Sequence, residues 1–186
     1  NGRFRGEAPP ESPVRLENTY VGVDGVGRTT ERKLWKAGAR SWSEFDPSLC
    51  GPTTAERVES FIERARPRLD DSDSAFFEQV LPSKERWRLY ENFREEACFF
   101  DIETTGLDHD RDTVTCVSAH RRGDTETLVR GDDLTRETLA DLLDAPLLVT
   151  FNGARFDVPF LETAFDLDID RPHLDLMYPC KRVGLT

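Results

Sequence analysis

Apolar residues recur at helical spacing through the first half of the chain and in short, nearly unbroken runs through the second. From Leu16 to about Phe45 the pattern describes a compact unit in which Thr30 to Ala37 is predicted helical. Gly38 would end that helix as a left-handed cap. Ser43 to Phe45 opens a short turn or helix before Asp46-Pro47. Pro52 to Arg66 reads as a helix with Val58, Phe61, Ile62 and Ala65 on one face, a proline at its start and Pro67 beyond its end. Asp70 to Ser74 is a polar break. Two more short helices are predicted over 74–81 and 83–93, with Trp87, Leu89, Tyr90 and Phe93 as the apolar side of the second.

Near Glu96 the period changes. Ala97 to Glu103 is a short apolar run of the kind a buried strand requires. Thr113 to His120 alternates, and Thr125 to Val129 follows a Gly123-Asp124 turn, which predicts two further strands. Leu134 to Leu143 has helical spacing with Asp133 as a candidate N-cap. Leu147 to Phe151 is a fourth strand, Ala154 to Phe165 a helix with Pro159 in its tolerated early turns, and His173 to Asp175 marks a fifth strand. The order predicts an α/β fold: a mixed sheet with an antiparallel three-strand meander plus parallel strands, flanked by helices and preceded by a small all-α region. The expected division is a disordered leader over 1–13, a compact unit over 14–48, a helical connector over 49–95 and the α/β domain over 96–186. The leader follows from three prolines, two glycines and little apolar content in thirteen residues.

Composition changes the picture in one respect. The 186 residues carry a net charge of −11, with 36 acids against 25 bases, and the acids are spread along the whole chain. That excludes the ordinary strongly basic nucleic-acid-binding domain. Dispersed carboxylates are also an adaptation to high salt, where their repulsion is screened within about 3 Å at 1 M. Under that halophilic reading net acidity no longer argues against a nucleic-acid substrate. Cys50, Cys98, Cys116 and Cys180 form no CxxC pair and the three histidines lie far apart, so neither a zinc site nor a disulfide framework is expected. No apolar run approaches a membrane span, and the expectation is a soluble cytoplasmic protein with free thiols.

The chemistry is sought among the carboxylates. In a strand, residues i and i+2 share a face, so Asp101 and Glu103 point the same way at the end of an apolar element. Two acids held together are costly to desolvate unless a cation joins them, and hard Mg²⁺ or Mn²⁺ suits oxygen donors. Such a triplet is common in so acidic a chain. Asp124-Thr125-Glu126 is another and reads as a solvated turn.

The context of the first triplet carries more. Phe99 to Leu107 resembles motif I of the DEDD, DnaQ-like exonuclease superfamily of ribonuclease H-like fold, and Thr150 to Asp157 resembles its second motif. The segments Phe151 to Leu161 and His173 to Pro179, with Leu81-Pro82 and Glu85 to Tyr90 upstream, are similar to the YprB-type branch. The resemblance implies a metal-dependent nuclease, a 3′–5′ exonuclease on DNA or RNA, working through two metal ions. It assigns Asp101 to both ions, Glu103 to the one that activates water and Asp157 to the one near the leaving group. It places Thr104, Thr105, Gly106, Leu107, Asn152 and Phe156 on the nucleic acid, single strands or ends. His173 and Asp175 are either a site edge or a strand-capping His and a solvated Asp. The superfamily has a fourth acid on a later helix, and none follows Asp175. The expectation is therefore a C-terminally incomplete domain, with a degenerate relative as the alternative.

Val23 to Gly27, followed by Thr30, Glu31, Leu34 and Trp35, resembles a helix-hairpin-helix element. There Gly25 and Gly27 would let backbone N–H groups approach a phosphate, beside the basic Arg28, Arg32 and Lys33. A turn used only for packing is the alternative. For the whole chain, the rivals to a nuclease are a silent nuclease-like module that binds nucleic acid or a partner protein, and a scaffold that binds no metal. The halophilic reading predicts that the thermal unfolding midpoint rises steeply from low to molar KCl; a midpoint that stays flat would contradict it.

Overall fold

The computed structural model describes residues 14–184, so the expected leader over 1–13 lies outside the described residues. The all-α half contains α1 (Arg28–Lys36), α2 (Pro52–Asp70), α3 (Ser74–Val80) and α4 (Tyr90–Phe93). Short 3₁₀ turns at Leu16–Asn18, Trp42–Glu44, Pro47–Leu49 and Ser83–Leu89 fill the gaps. The α/β half runs β1 (Cys98–Thr104), β2 (Val114–Arg121), β3 (Asp124–Val129), α5 (Arg136–Leu142), β4 (Leu148–Thr150), α6 (Asp157–Phe165), β5 (His173–Asp175) and α7 (Met177–Val183). None of the described helices is long and apolar enough to cross a membrane.

The five strands form one mixed sheet in the order β3-β2-β1-β4-β5. β1 pairs antiparallel with β2, and β2 with β3, which is the expected meander. On its other side β1 pairs parallel with β4, and β4 with β5. Both faces are covered, by different parts of the chain. Cys98, Phe100 and Ile102 of β1 pack with Leu139 of α5 and Phe160 and Leu161 of α6. Val149, Leu174 and half-buried Phe99 instead join the core of the helical half, with Leu34, Val58, Phe61, Phe77 and Leu89. Each such large side chain contributes about 1.5–3 kcal/mol when fully buried. The acid-bearing face of β1 is thus the face on which the helical half sits.

Four local expectations are corrected. Pro67 lies inside α2 rather than beyond it, and the helix continues to Asp70. Proline removes one backbone bond, but the next turn closes with Asp71 N–H on the Pro67 carbonyl, and Leu69 packs against the core, which offsets the loss. The cap of α5 is Thr135, whose hydroxyl accepts the Thr138 N–H; Asp133 is turned away to accept the Val129 N–H. α6 begins at Asp157, not Ala154, because residues 152–156 are held in a turn. The segment expected as a helix over 83–93 is 3₁₀ through Leu89 and α only from Tyr90.

A buried charge network fastens α1 to the 83–89 turn. Glu31, Glu85 and Arg88 are all almost fully buried. Arg88 clasps both oxygens of Glu31 at 2.9 Å, reaches Glu85 at 3.1 Å and donates to the Thr19 hydroxyl. Glu31 also accepts the Tyr20 and Val21 N–H groups, and Arg28 pairs with Glu85. Two guanidinium groups therefore balance two carboxylates. Removing one member leaves an uncompensated charge in the interior, which costs far more than losing an exposed pair. Arg88→Met is expected to lower stability in urea unfolding by about 3–5 kcal/mol. Arg15→Ala, which breaks the exposed pair with Glu17, is expected to cost less than about 1 kcal/mol.

Candidate active site

Strand alternation puts Ile102 into the core and leaves Asp101 and Glu103 exposed on the opposite face. Their partners across the ladder are Ser118 and Cys116. The register slips at Glu103/Thr104, where Thr115 is skipped and its hydroxyl donates to the Glu103 carbonyl. Such a bulge bends the strand and re-aims the side chains beside it. No ion pair joins Asp101 or Glu103 to a basic residue among the described residues.

Asp157 opens α6 and is only 3% exposed. Its carboxylate accepts the Ile102 N–H at 3.2 Å, which anchors it to the strand carrying the other two acids. Burial pushes its pKa up to about 6, and the negative charges of Asp101 and, more weakly, Asp175 add to the rise. Hydrogen bonds from its own amide and that of Ile102 work the other way. The fold thus brings Asp101, Asp157 and Asp175 within electrostatic reach of one another. Glu103 shares the face of Asp101.

The donor set fits a hard divalent cation in kind: carboxylate oxygens, no thiol or imidazole among them, and, among the described residues, no ion pair that balances Asp101, Glu103 or Asp157. Asp101, Glu103 and Asp157 are the residues that would hold it. They are not drawn into a finished cage: among the described residues no three His, Cys, Asp or Glu side chains are grouped closely enough to ligate one ion.

The segment between β4 and α6 is tightly specified. Asn152 has a left-handed backbone, φ 66°. A Cβ on Gly153 would lie 2.3 Å from the Thr150 hydroxyl oxygen, so no larger residue fits there. That hydroxyl accepts the Gly153 N–H and bonds His173 Nε2 at 2.7 Å. His173 is mostly buried against Phe100, and burial holds its pKa below the usual imidazole value. Asp175 is 5% exposed and accepts backbone N–H groups from Asn152, Ala154 and Met177, which overturns its reading as a solvated residue. Phe156 packs against Phe160 at 5.0 Å, with its ring on the core.

The loop after β1 is also built from within. The Thr104 hydroxyl donates to the Gly106 carbonyl, and the Asp112 carboxylate takes the Asp108 N–H and the Thr105 hydroxyl. Gly106 is packed so closely on Asp112 that a Cβ would sit 2.3 Å from its oxygen. Leu107 is left 84% exposed at the tip. Asp112, in a segment whose sequence is merely charged, is the organiser of this loop, and His109 beside it meets the Phe160 ring of α6 edge-on at 6.2 Å.

The glycine turn lies elsewhere. Gly25 is left-handed, φ 79°, close under Arg57, and Gly27 precedes α1. Arg32 and Lys33 are exposed on α1, whereas Arg28 is committed to buried Glu85. Among the described residues, the segment before the turn is a three-residue 3₁₀ element rather than an α-helix. No hydrogen bond or ion pair connects this turn with Asp101, Glu103 or Asp157 among the described residues.

Residues 98–186 match the family model RNase_H_2, described as RNase_H superfamily. No curated protein matches the chain. Among solved structures, Brucella melitensis NrnC is similar at 23% identity and TM-score 0.40, over 51% of this chain and 48% of that one. The zinc-bound E. coli ExoI–ssDNA complex is similar at 16% and 0.38, over 46% and 29%. The family B DNA polymerase of Pyrobaculum calidifontis is similar at 21% and 0.37, over 44% and 15%. The chain thus spans less than half the length of each.

The raised carboxyl of Asp157 sets a pH dependence. An acid whose pKa is higher folded than unfolded stabilises the fold below its unfolded value of about 4, and that contribution is lost as pH rises through about 6. In the absence of divalent cations, Asp157→Asn is expected to match the wild type in thermal unfolding near pH 4. At pH 7 it should be more stable by about 1–3 kcal/mol.

Proposed function

We propose that this chain is a metal-dependent nuclease of the DEDD, YprB-type kind, a 3′–5′ exonuclease that hydrolyses phosphodiester bonds of DNA or RNA in the cytoplasm. The observation that carries the reading is the arrangement at the end of β1. Two exposed carboxylates share one strand face, and a third, buried and raised in pKa, is tied to the same strand and ion-paired with no basic side chain among the described residues. The match of residues 98–186 to the RNase H superfamily model supports it.

Asp101, Glu103 and Asp157 hold Mg²⁺ or Mn²⁺ in this reading. When bound, a pair of such ions lowers the pKa of an attacking water and stabilises charge on the phosphorane and the leaving oxygen. The chain's own contribution is placement. β1 presents Asp101 and Glu103 to solvent, while the Ile102 N–H fixes Asp157 from below. Asp157 must give up its proton before it can ligate, so affinity for the ion is expected to weaken as pH falls below about 6. Thr104 to Leu107 and the 151–156 segment flank the acids as nucleic-acid-contacting loops. The Gly25–Gly27 turn, with exposed Arg32 and Lys33, is assigned to the strand backbone farther from the cut. Arg28 is withdrawn from that role by its bond to Glu85.

One observation favours a second reading, a nuclease-like module that grips nucleic acid without cutting it. The three acids are not already grouped as ligands of one ion among the described residues. Hydrolysis of labelled single strands with Mn²⁺ or Mg²⁺ separates the two. Asp101→Ala and Glu103→Ala are each expected to slow cleavage by about 100-fold or more, the loss of several kcal/mol of transition-state stabilisation. Rates equal to wild type in both variants would overturn the assignment; strand binding by the wild type with no cleavage would establish the second reading.

A further inference from the structure

Asp175 lies at the end of β5, opposite Thr150 in the parallel register with β4. It is 5% exposed, yet no basic side chain pairs with it among the described residues. Its charge is met by the backbone instead. Oδ1 accepts the N–H of Asn152 at 2.8 Å and of Met177 at 3.0 Å, and Oδ2 accepts that of Ala154 at 3.2 Å. One buried carboxylate therefore gathers the β4–α6 loop and the first turn of α7 around itself.

The clasped loop leads directly to Asp157. The Gly153 carbonyl, between the two clasped amides, accepts the N–H of Val158, the residue after Asp157. Asn152 sits in the left-handed region, which asparagine adopts more readily than most side chains but which still persists only where its surroundings hold it. The bond from its N–H to Asp175 supplies part of that hold. Thr150 and His173 support the same loop from the other side through the Gly153 N–H.

We propose that Asp175 is a positioning residue: its carboxylate sets the loop that presents Asp157 beside Asp101, and does not itself take a metal ion or substrate. Ligand capacity argues for this division. A carboxylate offers about four acceptor sites, and three are already used by N–H donors, with both oxygens engaged. Asp175 is therefore not the fourth acid that the family resemblance calls for. Groups that orient a ligating side chain without touching the ion weaken metal binding by roughly 10–100-fold when removed. As regards metal binding and catalysis, the inference rests on the nuclease reading; the role in the loop stands apart from it.

Asp175→Asn and Asp175→Ala in the full chain provide the test, read by amide hydrogen exchange, calorimetric titration with Mg²⁺ and hydrolysis kinetics. Asparagine keeps one oxygen for Asn152 and Met177 and turns an NH₂ group toward the Ala154 N–H. Ala154 is therefore expected to exchange at least about tenfold faster in Asp175→Asn while Met177 stays protected, and Asp175→Ala should release all three amides. Mg²⁺ affinity is expected to fall about 10–100-fold without vanishing, and kcat to drop more than KM for the strand changes. Unchanged exchange in Asp175→Ala overturns the proposal. So does loss of all Mg²⁺ binding in Asp175→Asn with the loop amides still protected, which would make Asp175 a ligand. An unfolded Asp175→Asn also overturns it, by making the residue a support of the whole domain. A wild-type chain that binds no Mg²⁺ and cuts no strand defeats the nuclease reading instead, while the exchange rates still decide the role of Asp175.

Discussion

Two short parallel pairings, β1 on β4 and β4 on β5, determine where the carboxylates of the site lie. Each involves only two or three residues, but parallel strands end on the same side of a sheet. The ends of β1, β4 and β5 therefore lie at one edge, with Glu103 near the end of β1, Asp175 at the end of β5, and the loop after β4 leading into Asp157 at the start of α6. Without the β1–β4 pairing Asp101 and Glu103 would be separated from Asp157 by more than fifty positions of chain with nothing to bring them together. In open α/β sheets this carboxyl edge is the usual place for a ligand.

The cost of that convergence is electrostatic, and the fold distributes it unevenly. Asp101 and Glu103 remain in water, where high dielectric weakens their repulsion. Asp157 is buried and is the one whose proton is held more tightly. Asp175 is equally buried, and three backbone N–H groups meet its charge. Neighbouring carboxylates thus have three different environments: two exposed to solvent, one buried and protonated more readily, and one clasped by backbone N–H groups. The contrast with the helical half is direct. There, Glu31 and Glu85 are buried against Arg28 and Arg88, so their charges are already satisfied and available to no outside cation.

That internal network also changes what the helical half can be. Sequence spacing made the glycine turn and its basic neighbours look like a separate gripping unit. In the structure the unit shares its core with the sheet through Phe99, Val149 and Leu174, on the face that bears Asp101 and Glu103. Tyr90 touches Phe99 edge-on, two residues from Asp101 along the strand. The helical half is a fixed wall beside the acids.

Much of this was legible in the chain itself. Period two in the strands and period 3.6 in the helices outlined the mixed sheet and put Asp101 and Glu103 on one strand face, because those signals are local; Asp157 was singled out only by the resemblance of Thr150 to Asp157 to an exonuclease motif. Burial of a charge is not local. The sequence left Asp175 open between a site edge and a solvated acid; its burial and its three N–H partners exist only once β5 lies beside β4. The same holds for Arg28, basic and near a glycine turn in sequence, but drawn to Glu85 across 57 positions by the packing of α1. Pro67 was misjudged for a related reason: its local preference to end a helix was outweighed by a tertiary contact, the burial of Leu69. The sequence by itself determined which elements form, while their ends, beyond Pro67 and at Thr135 and Asp157, were settled by packing and local hydrogen bonds. Tertiary structure alone decided which charges are solvated, which are paired and which are clasped by backbone, since a charge's energy depends on what surrounds it in space.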